Sequence, residues 1–300
     1  MPFTSSDMPE LLSGGLKAVF FEALKAKKGS YGRIATVVES NSDTEHYPWL
    51  GANPAVKEFL DERAPASYSG YEYAIKNRTW EASVAVERAA IEDDKLGQIK
   101  IRVSQLADEA RRHRERLVFE TLAAGFTAKC HDGQPLFSAS HPGDGGTQSN
   151  LGASALSYES LAAAVTGMMK IKDDRGSIAG IKPDVLVVPA DLQWTAMELL
   201  ESNYYPHEGT TTARVSANAL KGKLDIIVSP YLTDTNNWFL LDTSRAVKPI
   251  ILQSRTPVQF NALEGNSETG FMRDTYIYGI RARYNTGYGL WQCAYGSHVS

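Results

Sequence analysis

One group of side chains has residue types that could support catalysis: Cys130, His131, Asp132 and His141. A thiol near an imidazole is the arrangement of a cysteine nucleophile. Cys130, His131 and His141 could instead supply three zinc ligands. Adjacent side chains do not easily aim at one point, and no tight CxxC or HxxxH pair accompanies them. The simpler interpretation is a loop whose turn is held by its own His and Asp side chains.

A second group could bind anions, because four arginines lie close together: Arg111, Arg112, Arg114 and Arg116. Guanidinium groups bind phosphate and nucleic acid well. Acids are interleaved with them at i,i+3 and i,i+4 spacings, namely Asp108, Glu109, Glu115 and Glu120. This interleaving favours a paired, solvated helix face or a subunit contact. The formal net charge of −4 also argues against a protein that grips nucleic acid.

The remaining chemical motifs are weaker. Glu92, Asp93 and Asp94 could hold a divalent cation, but they also suit the N-terminus of a following helix. The glycines of 143–146 neither follow a strand nor open a helix, which argues against a phosphate loop. The sequence contains no Ser-centred nucleophile elbow and no HExxH motif. We therefore expect no enzyme activity, no cofactor and no metal.

The element that positions these groups is one long amphipathic helix, predicted over residues 98–126. Apolar or small residues recur every three or four positions or whole turns, at Ile99, Val103, Leu106, Ala110, Leu117, Thr121 and Ala124. His113 alone interrupts the stripe, and a half-buried, hydrogen-bonded role is expected for it. Such a helix would be about 40 Å long, against an average of roughly 11–12 residues for globular proteins. It predicts an architecture built around a spine.

Extended segments precede this helix. Residues 1–45 are interpreted as an arm, with a short amphipathic helix and a strand at Ile34–Val38. Pro54 could open a helix that continues to Leu60. Alternating runs at 71–75 and 79–86 predict a long antiparallel hairpin or two facing strands. An arm and a ribbon of this kind bury little surface alone, so we expect a partner to cover them.

The rest of the chain mixes helices and strands, which gives the fold class α+β. Within 155–245, helices are predicted at Leu161–Met169 and after Asp191 as its cap, the latter including Leu192, Trp194, Met197 and Leu200. An open polar loop is predicted at Asn203–Thr212. Strands are predicted at Asp184–Val188, Leu224–Val228, Trp238–Leu241, Ile250–Gln253, Val258–Leu263, Phe271–Ile280 and Tyr288–Tyr295.

Bulk properties agree with a folded soluble chain. The 300 residues are 43% apolar, and no run reaches the roughly 18–20 apolar residues of a membrane span. The acidic start of the chain predicts no signal peptide. Two cysteines suit a reducing compartment, although one disulfide between them stays open.

Several strings along the chain resemble one family, the major head subunits (T proteins) of phage Mu and Mu-like prophages. They run in order across about residues 30–295: Tyr47-Pro48-Trp49-Leu50-Gly51, Lys57-Glu58, Asn77-Arg78-Thr79-Trp80-Glu81, Glu92-Asp93-Asp94-Lys95-Leu96-Gly97, Gly125-Phe126-Thr127, Cys130, Asp132-Gly133-Gln134, Phe137, His141-Pro142, Leu241-Asp242-Thr243-Ser244-Arg245-Ala246-Val247-Lys248-Pro249 and Gly287-Tyr288-Gly289-Leu290-Trp291-Gln292.

The resemblance implies the Hong Kong 97-type phage capsid fold. Residues 1–45 would be the N-terminal arm and 46–90 the extended loop. Residues 91–154 and 246–300 would form the peripheral domain, with the spine helix at 98–126, and 155–245 the axial domain. The resemblance implies that scaffold and protease are separate products, so we expect no long charged coiled-coil extension at the start of the chain.

The implied function is a major capsid protein that forms hexamers and pentamers of an icosahedral shell around double-stranded DNA. The implied partners are other copies of the chain, a scaffold or protease, a portal, and decoration proteins, with weak non-specific contact to packaged DNA. Assembly would take place in the host cytoplasm. The alternatives are an encapsulin-like compartment shell and, from another class, a Cys/His or zinc hydrolase.

The candidate subunit contacts come from the extended loop, the spine helix and the loop Asn203–Thr212, which by the resemblance would be the tip of the axial domain. They are Trp49, Lys57, Tyr71, Tyr73, Lys76, Arg78, Trp80, Arg111, Arg112, Arg114, Tyr204, Tyr205 and His207.

Overall fold

The computed structural model describes residues 8–26, 29–48, 50, 73–92, 96–143, 146–206, 215–263 and 272–299. Within these ranges the helices are α1 (Met8–Ala26), α2 (Tyr31–Ile34), α3 (Arg88–Glu92), α4 (Leu96–Ala123), α5 (Tyr158–Met169) and α6 (Gln193–Glu201). Short 3-10 turns occupy Ala124–Phe126, Ala190–Leu192 and Trp291–Cys293. Within the described ranges no helix is both long enough and apolar enough to cross a membrane.

The strands form two main sheets and two short pairs. They are β1 (Ala35–Glu39), β2 (Thr44–His46), β3 (Ala74–Lys76), β4 (Arg78–Glu87), β5 (Leu151–Gly152), β6 (Val185–Pro189), β7 (Tyr204–Pro206), β8 (Val215–Ala217), β9 (Asp225–Ser229), β10 (Trp238–Leu241), β11 (Ile250–Leu263), β12 (Thr275–Tyr288) and β13 (Ala294–Ser297). One sheet has the order β1-β11-β12-β4 and the other β5-β13-β10-β6-β9, while β2 pairs with β3 and β7 with β8. Helices and sheets are thus combined as the predicted α+β class requires.

The spine is confirmed as α4, which is 28 residues long and continues into the turn at 124–126. It packs against β4, β11 and β12, and α1 packs along it. The second half of the predicted apolar stripe is wrong: Leu117 and Thr121 are half-buried and Ala124 is exposed. Their places are taken by Val118, Phe119 and Leu122. The predicted positions follow a seven-residue repeat, and such a repeat drifts by about 20° per heptad around a helix with 3.6 residues per turn. Toward the end of α4 the buried positions are therefore displaced by one residue from the predicted ones.

The predicted hairpin between 71–75 and 79–86 is also wrong for the residues described. Strand β3 pairs with β2, and β4 pairs antiparallel with β12 along its whole length. Asn77 lies between β3 and β4 and is buried, donating from Nδ2 to the Ser40 hydroxyl at 2.8 Å and the Ser42 carbonyl at 2.9 Å. These bonds hold β3 against residues 40–46, so β4 takes a different partner.

The start of the chain packs on its own chain. Phe20 of α1 is fully buried and its ring centroid lies 5.2 Å from that of Phe260. Strand β1 lies parallel to β11, from Ala35 opposite Ile250 to Glu39 opposite Ser254. The expectation that this whole arm needs a partner to bury its apolar surface is therefore wrong for α1 and β1.

In the second half of the chain most predicted elements are confirmed, with several corrections. The open loop predicted at Asn203–Thr212 is wrong for residues 204–206, which form β7 and pair with β8, and 207–212 lie outside the described residues. The strand predicted at Phe271–Ile280 is observed as β12, Thr275–Tyr288.

Helix α6 is capped by Leu192 and not by Asp191, which lies in the preceding 3-10 turn. The predicted strand at 288–295 is broken. Gly289 donates its N–H to the Pro249 carbonyl at 2.7 Å, and a Cβ there would lie 2.1 Å from the Lys248 oxygen. This close approach turns the chain into the 3-10 turn before β13.

The β10–β6–β9 centre of the five-stranded sheet is apolar, and every residue of β6 and β10 is buried. Strand β6 lies parallel to β9. Parallel strands that are covered on both faces have continuous apolar sequences, as Val185–Pro189 does. The predicted strands Ile250–Gln253 and Val258–Leu263 are one strand, β11. Its register against β12 shifts between Ser254 and Gln259, around Pro257, which has no N–H for the ladder.

Candidate functional site: a buried polar cluster and the candidate subunit contacts

The loop after α4 gathers the predicted Cys, Asp and His side chains around one carboxylate. Asp132 Oδ1 accepts hydrogen bonds from the Cys130 thiol and the Gln134 backbone N–H, both at 3.0 Å. Its Oδ2 lies 2.6 Å from His141 Nδ1. The His131 side chain is buried nearby, but it is not among the three ligand-type groups that converge. The sequence therefore predicted the Asp132-centred grouping, with His131 the member that stays outside it.

His141 is fully buried and both of its ring nitrogens face oxygen acceptors. Nε2 lies 3.1 Å from Asn150 Oδ1. The Asn150 amide nitrogen donates to the carbonyls of Leu136 and Ala294 at 2.7 and 3.0 Å, which fixes Oδ1 as the acceptor. His141 therefore donates from Nε2 to Asn150, and the carboxylate of Asp132 accepts a hydrogen bond from Nδ1. The imidazole also stacks on Trp291, with ring centroids 3.9 Å apart and planes within 1°.

The protonation states follow from burial and these bonds. Burial alone would raise the pKa of Asp132, but hydrogen bonds from His141, Cys130 and the Gln134 backbone outweigh it and lower that pKa. Burial, followed by the bond to Asp132, raises the pKa of the Cys130 thiol well above its ordinary value. The thiolate is the nucleophilic form of cysteine, so Cys130 is a poor nucleophile. Burial also lowers the pKa of His131.

The cluster fits hydrogen bonding better than zinc binding. Cys130, Asp132 and His141 each offer one ligand atom within 4.8 Å of the others. Ligands about 2.0 Å from a tetrahedral zinc lie roughly 3.3 Å apart, whereas His141 Nδ1 and Asp132 Oδ2 are 2.6 Å apart. Both nitrogens of His141 are already donors. Cys130 and Cys293 are both buried free thiols.

Sequence reasoning missed two members of this cluster, Asn150 and Trp291. Asn150 lies nine residues beyond His141 in a polar stretch and carries no local signal. Trp291 is far away in sequence and is brought to His141 by the turn before β13. Only its place in the family-like string 287–292 pointed to it.

Four of the candidate subunit contacts lie outside the described residues, namely Trp49, Lys57, Tyr71 and His207, and so does the side chain of Tyr205. Tyr204 is 66% exposed at the start of β7. Lys76 and Arg78 are exposed on β3 and β4, and Lys76 lies 4.0 Å from the carboxylate of Asp43. Tyr73 is half-buried, and its hydroxyl accepts the Tyr288 N–H at 2.7 Å.

The structure joins two further candidates, Trp80 and Arg114, around Tyr284. The Trp80 indole N–H donates to the Tyr284 carbonyl at 2.9 Å, and the Arg114 guanidinium lies 5.0 Å from the Tyr284 ring centroid. His113 Nδ1 lies 2.8 Å from the Tyr284 hydroxyl, and its ring centroid is 4.3 Å from that of Trp80. The expectation that His113 is half-buried and hydrogen-bonded is confirmed.

Three of the four clustered arginines of α4, Arg111, Arg112 and Arg116, pair with acids of the same helix, as predicted. Arg112 lies 2.9 Å from Glu109, and Arg111 lies 3.6 Å from Asp108 and 3.7 Å from Glu115. The Nε atoms of Arg111 and Arg114 are nonetheless buried and have no hydrogen-bond partner in the described part of the chain. These two arginines line a groove of about 550 Å³, whose other walls include Leu24, Lys25, Tyr31 and Val37.

The chain matches the model of one protein family over nearly its whole length. The family is the Mu-like prophage major head subunit gpT, and the matched segments are residues 10–157, 151–232 and 233–300. The chain belongs to this family. Its members are structural subunits of phage heads, and the function implied by the sequence resemblance, a major capsid protein, is confirmed.

Individual relatives agree with the family. The FluMu major head subunit of Haemophilus influenzae is 29% identical over 98% of this chain and 74% of the relative. The major capsid protein of Escherichia phage Mu is 25% identical over 92% of this chain and 68% of the relative. The procapsid of bacteriophage JBD30 has a subunit that superposes with a TM-score of 0.63 at 26% identity, covering 99% of this head subunit and 77% of the JBD30 chain. The Hong Kong 97-type fold is thereby confirmed.

Proposed function

We propose that this head subunit assembles into hexamers and pentamers of an icosahedral shell that encloses double-stranded DNA in the virion. The family match along residues 10–300 carries this proposal. The similarity to a phage procapsid subunit over 99% of the chain supports it. Assembly takes place in the host cytoplasm, with a scaffold or protease, a portal and decoration proteins as partners. The net charge of −4 suits an inner wall with only weak contact to DNA.

The proposed domains correspond to the two sheets only in part. Strands β1 and β4, from the proposed arm and loop, complete the four-stranded sheet, and β5 and β13 lie in the five-stranded sheet. The peripheral domain, 91–154 and 246–300, is supported by the packing of α4 on β11 and β12. The axial domain, 155–245, is supported by the sheet core of β6, β9 and β10. Strand β13 joins this second sheet and ties the end of the chain to it. Residues 1–45 and 46–90 are the arm and the extended loop.

The candidate contacts keep their proposed role in joining subunits. Arg111 and Arg114 have the strongest support, because a buried N–H without an acceptor costs about 1–3 kcal/mol. The adjoining groove leaves room for an acceptor from a second copy. Lys76, Arg78 and Tyr204 are exposed and available for the same purpose.

A catalytic role has little support. The thiol of Cys130 donates to Asp132 and its pKa is raised, while the imidazole of His141 is committed to Asp132 and Asn150. No Cys–His pair of the kind that activates a nucleophile is present among the described residues. An encapsulin-like compartment is disfavoured, because the whole-chain family match is to phage head subunits.

The test is sedimentation velocity together with negative-stain microscopy of the purified chain, with and without a scaffold or a crowding agent. Shells, tubes, or five- and six-fold rings are the expected result. A stable monomer of 32.9 kDa under every condition would overturn the proposal.

A further inference from the structure

Helix α6 carries an exposed face that has no partner among the described residues. Trp194 is 73% exposed and makes no ring contact or hydrogen bond there. The same face carries three exposed acids, which lie three residues before Trp194 and four and seven residues after it: Asp191, Glu198 and Glu201. None of these acids forms an ion pair with a described residue, and Lys221, near the end of α6, donates to Asn203 instead. We call these four residues the Trp194 face.

The Trp194 face contradicts the helix interpretation made from sequence, which placed Trp194 with the apolar residues Leu192, Met197 and Leu200. Leu199 and Leu200 are buried and Leu192 and Met197 are half-buried, while Trp194 points outward. A large exposed aromatic between carboxylates is typical of a contact surface, since Trp is enriched at the energetic centres of interfaces.

A complementary surface lies on the turn that follows α5, residues 169–178, here called the basic turn. Lys170, Lys172 and Arg175 are exposed and form no ion pair with other described residues. Met169 and Ile178 add apolar surface, with 50% and 65% of each exposed. The basic turn therefore offers cations and apolar area, which are the two features that a tryptophan among carboxylates can bind.

The two acids of the basic turn do not cancel this charge pattern, because both are engaged inward. Asp173 Oδ1 accepts from the backbone N–H groups of Arg175 at 3.0 Å and Ser177 at 2.8 Å. Asp174 accepts from the Gln292 side chain at 3.3 Å. The Lys172 backbone is held on both sides by the amide of Gln148. The turn is thus fixed to the body and presents its cations outward.

The positions of the two surfaces suit a head-to-tail contact. Helix α6 packs on β6 and β9, at one side of the five-stranded sheet. The basic turn is bonded to Gln148 and Gln292, which adjoin β5 and β13 at the other side. The edge strands β5 and β9 are four strand spacings apart, about 19 Å. Rings require two different patches on each copy, and these two patches lie near opposite edges of the same sheet.

We propose that the Trp194 face of one copy docks on the basic turn of the next copy around the rings of the shell. This inference rests on the proposed shell assembly and names the surfaces through which the axial domains join. Trp194 stacks on the aliphatic stems and cationic groups of the turn, and Asp191 and Glu198 pair with Lys170, Lys172 or Arg175.

The test is a charge swap read by sedimentation velocity and negative stain. Trp194→Ala, Glu198→Lys and Lys172→Glu are each expected to lower the assembled fraction by about ten-fold or more, since one contact is repeated around every ring. The double variant Glu198→Lys with Lys172→Glu is expected to recover most of the lost assembled fraction, because the swapped charges can pair again. The folded state should survive, because both side chains are exposed and a lysine suits the last turn of α6. Circular dichroism and melting curves check this.

The matched control is Asp234→Lys, which makes the same charge change at an exposed carboxylate outside both surfaces and is expected to assemble like the wild type. Wild-type shells together with normal assembly of all three single variants would overturn this inference, leave the shell function intact, and assign the Trp194 face to another partner. Equal loss in the Asp234→Lys control, or no recovery in the double variant, would also overturn it. Absence of wild-type shells would instead overturn the proposed function itself.

Discussion

Replacing Asp132 by alanine tests whether the buried cluster holds the structure together. The change removes the acceptor of three donors: the imidazole of His141, the thiol of Cys130 and the backbone N–H of Gln134. Leaving three buried donors without their acceptor costs at least about 1 kcal/mol each, so we expect a total of about 3–5 kcal/mol. With an unfolding entropy of about 2.1 cal/mol/K per residue, or roughly 0.6 kcal/mol/K for this chain, Tm should fall by about 5–8 °C.

Asp132→Asn should be much milder, and the difference isolates the hydrogen-bond geometry. The asparagine oxygen can accept from Cys130 and Gln134. Its amide can donate to Nδ1 of a neutral His141, which keeps its Nε2 proton for Asn150. The expected cost is about 1 kcal/mol, the net value of one hydrogen bond.

The pH dependence has a defined sign. Because the pKa of Asp132 is lowered in the folded chain, its contribution to stability is present above the unfolded carboxyl pKa of about 3.9. That contribution is lost as the pH falls through the folded pKa. The stability of the Asp132→Asn variant should therefore lack this decrease at low pH.

The assay is thermal unfolding of the unassembled protein at several pH values, followed by circular dichroism. The control is Asp234→Ala, an exposed carboxylate that accepts from the backbone N–H groups of Asn236 and Asn237 at 3.0 and 3.1 Å. It should cost at most about 1 kcal/mol. A Tm of the Asp132→Ala protein within about 1 °C of the wild type would refute the structural role. Equal losses of Tm for the Asp132→Asn and Asp132→Ala proteins would refute the argument that an asparagine amide can replace the carboxylate in these hydrogen bonds.

Three further outcomes follow from the same packing. Leu106→Asp should abolish folding, because Leu106 is buried in the core face of α4 and a charge there is unpaired. Gly289→Ala should destabilise the chain by about 3 kcal/mol or more, since the new Cβ would lie 2.1 Å from the Lys248 backbone oxygen. Burial, then the charge of Arg116, lowers the pKa of His113, so unfolding free energy should fall as the pH drops below about 6.5, where the unfolded chain takes up the proton first.

Matched variants make each outcome decisive. Ile101→Asp lies on α4 but is 60% exposed, and it should melt near the wild type where Leu106→Asp does not fold. Gly167→Ala, in α5 with open space around its would-be Cβ, should be neutral or slightly stabilising. His113→Gln should flatten the slope of stability against pH between about 6.5 and lower values. A wild-type melting curve for Leu106→Asp or Gly289→Ala, or an unchanged slope for His113→Gln, would contradict the respective argument.

Periodicity predicted the spine but not which residues cover its second half. The apolar spacing from Ile99 to Ala110 follows the helix closely and is confirmed by the burial of Ile99, Val103, Leu106 and Ala110. Beyond His113 the same spacing leads to Ala124, which is exposed. A one-residue choice on a long helix depends on what packs against it, and β12 and β4 are distant in sequence.

Strand partners were the least predictable feature. The alternation in β4 was visible, yet its partner β12 begins at Thr275, almost two hundred residues later. Local pattern gives the face of a strand but not the strand that pairs with it. Buried side chains such as Asn77 and close backbone approaches such as Gly289 decide these paths. Their effect depends on residues that only the folded chain brings near.

The buried cluster shows why residues with catalytic types can serve a shell. Asp132 and His141 lie in the loop that leaves the spine, and Asn150 leads directly into β5. Through its amide, Asn150 also binds the Ala294 carbonyl at the start of β13. The cluster therefore connects the end of α4 to the five-stranded sheet.

An apolar joint of the same size could be as stable, since burying charges brings little net gain. Apolar contacts, however, tolerate sliding, whereas hydrogen bonds weaken steeply when their angles bend. In the proposed shell, the five-stranded sheet of each subunit must keep a fixed angle to the spine while neighbouring copies pull on the subunit. Directional bonds from Asp132 and Asn150 meet that need, because a rotation of the sheet on the spine would break several of them at once. The residues that first suggested an active site are, on this argument, the joint that sets the shape of the subunit.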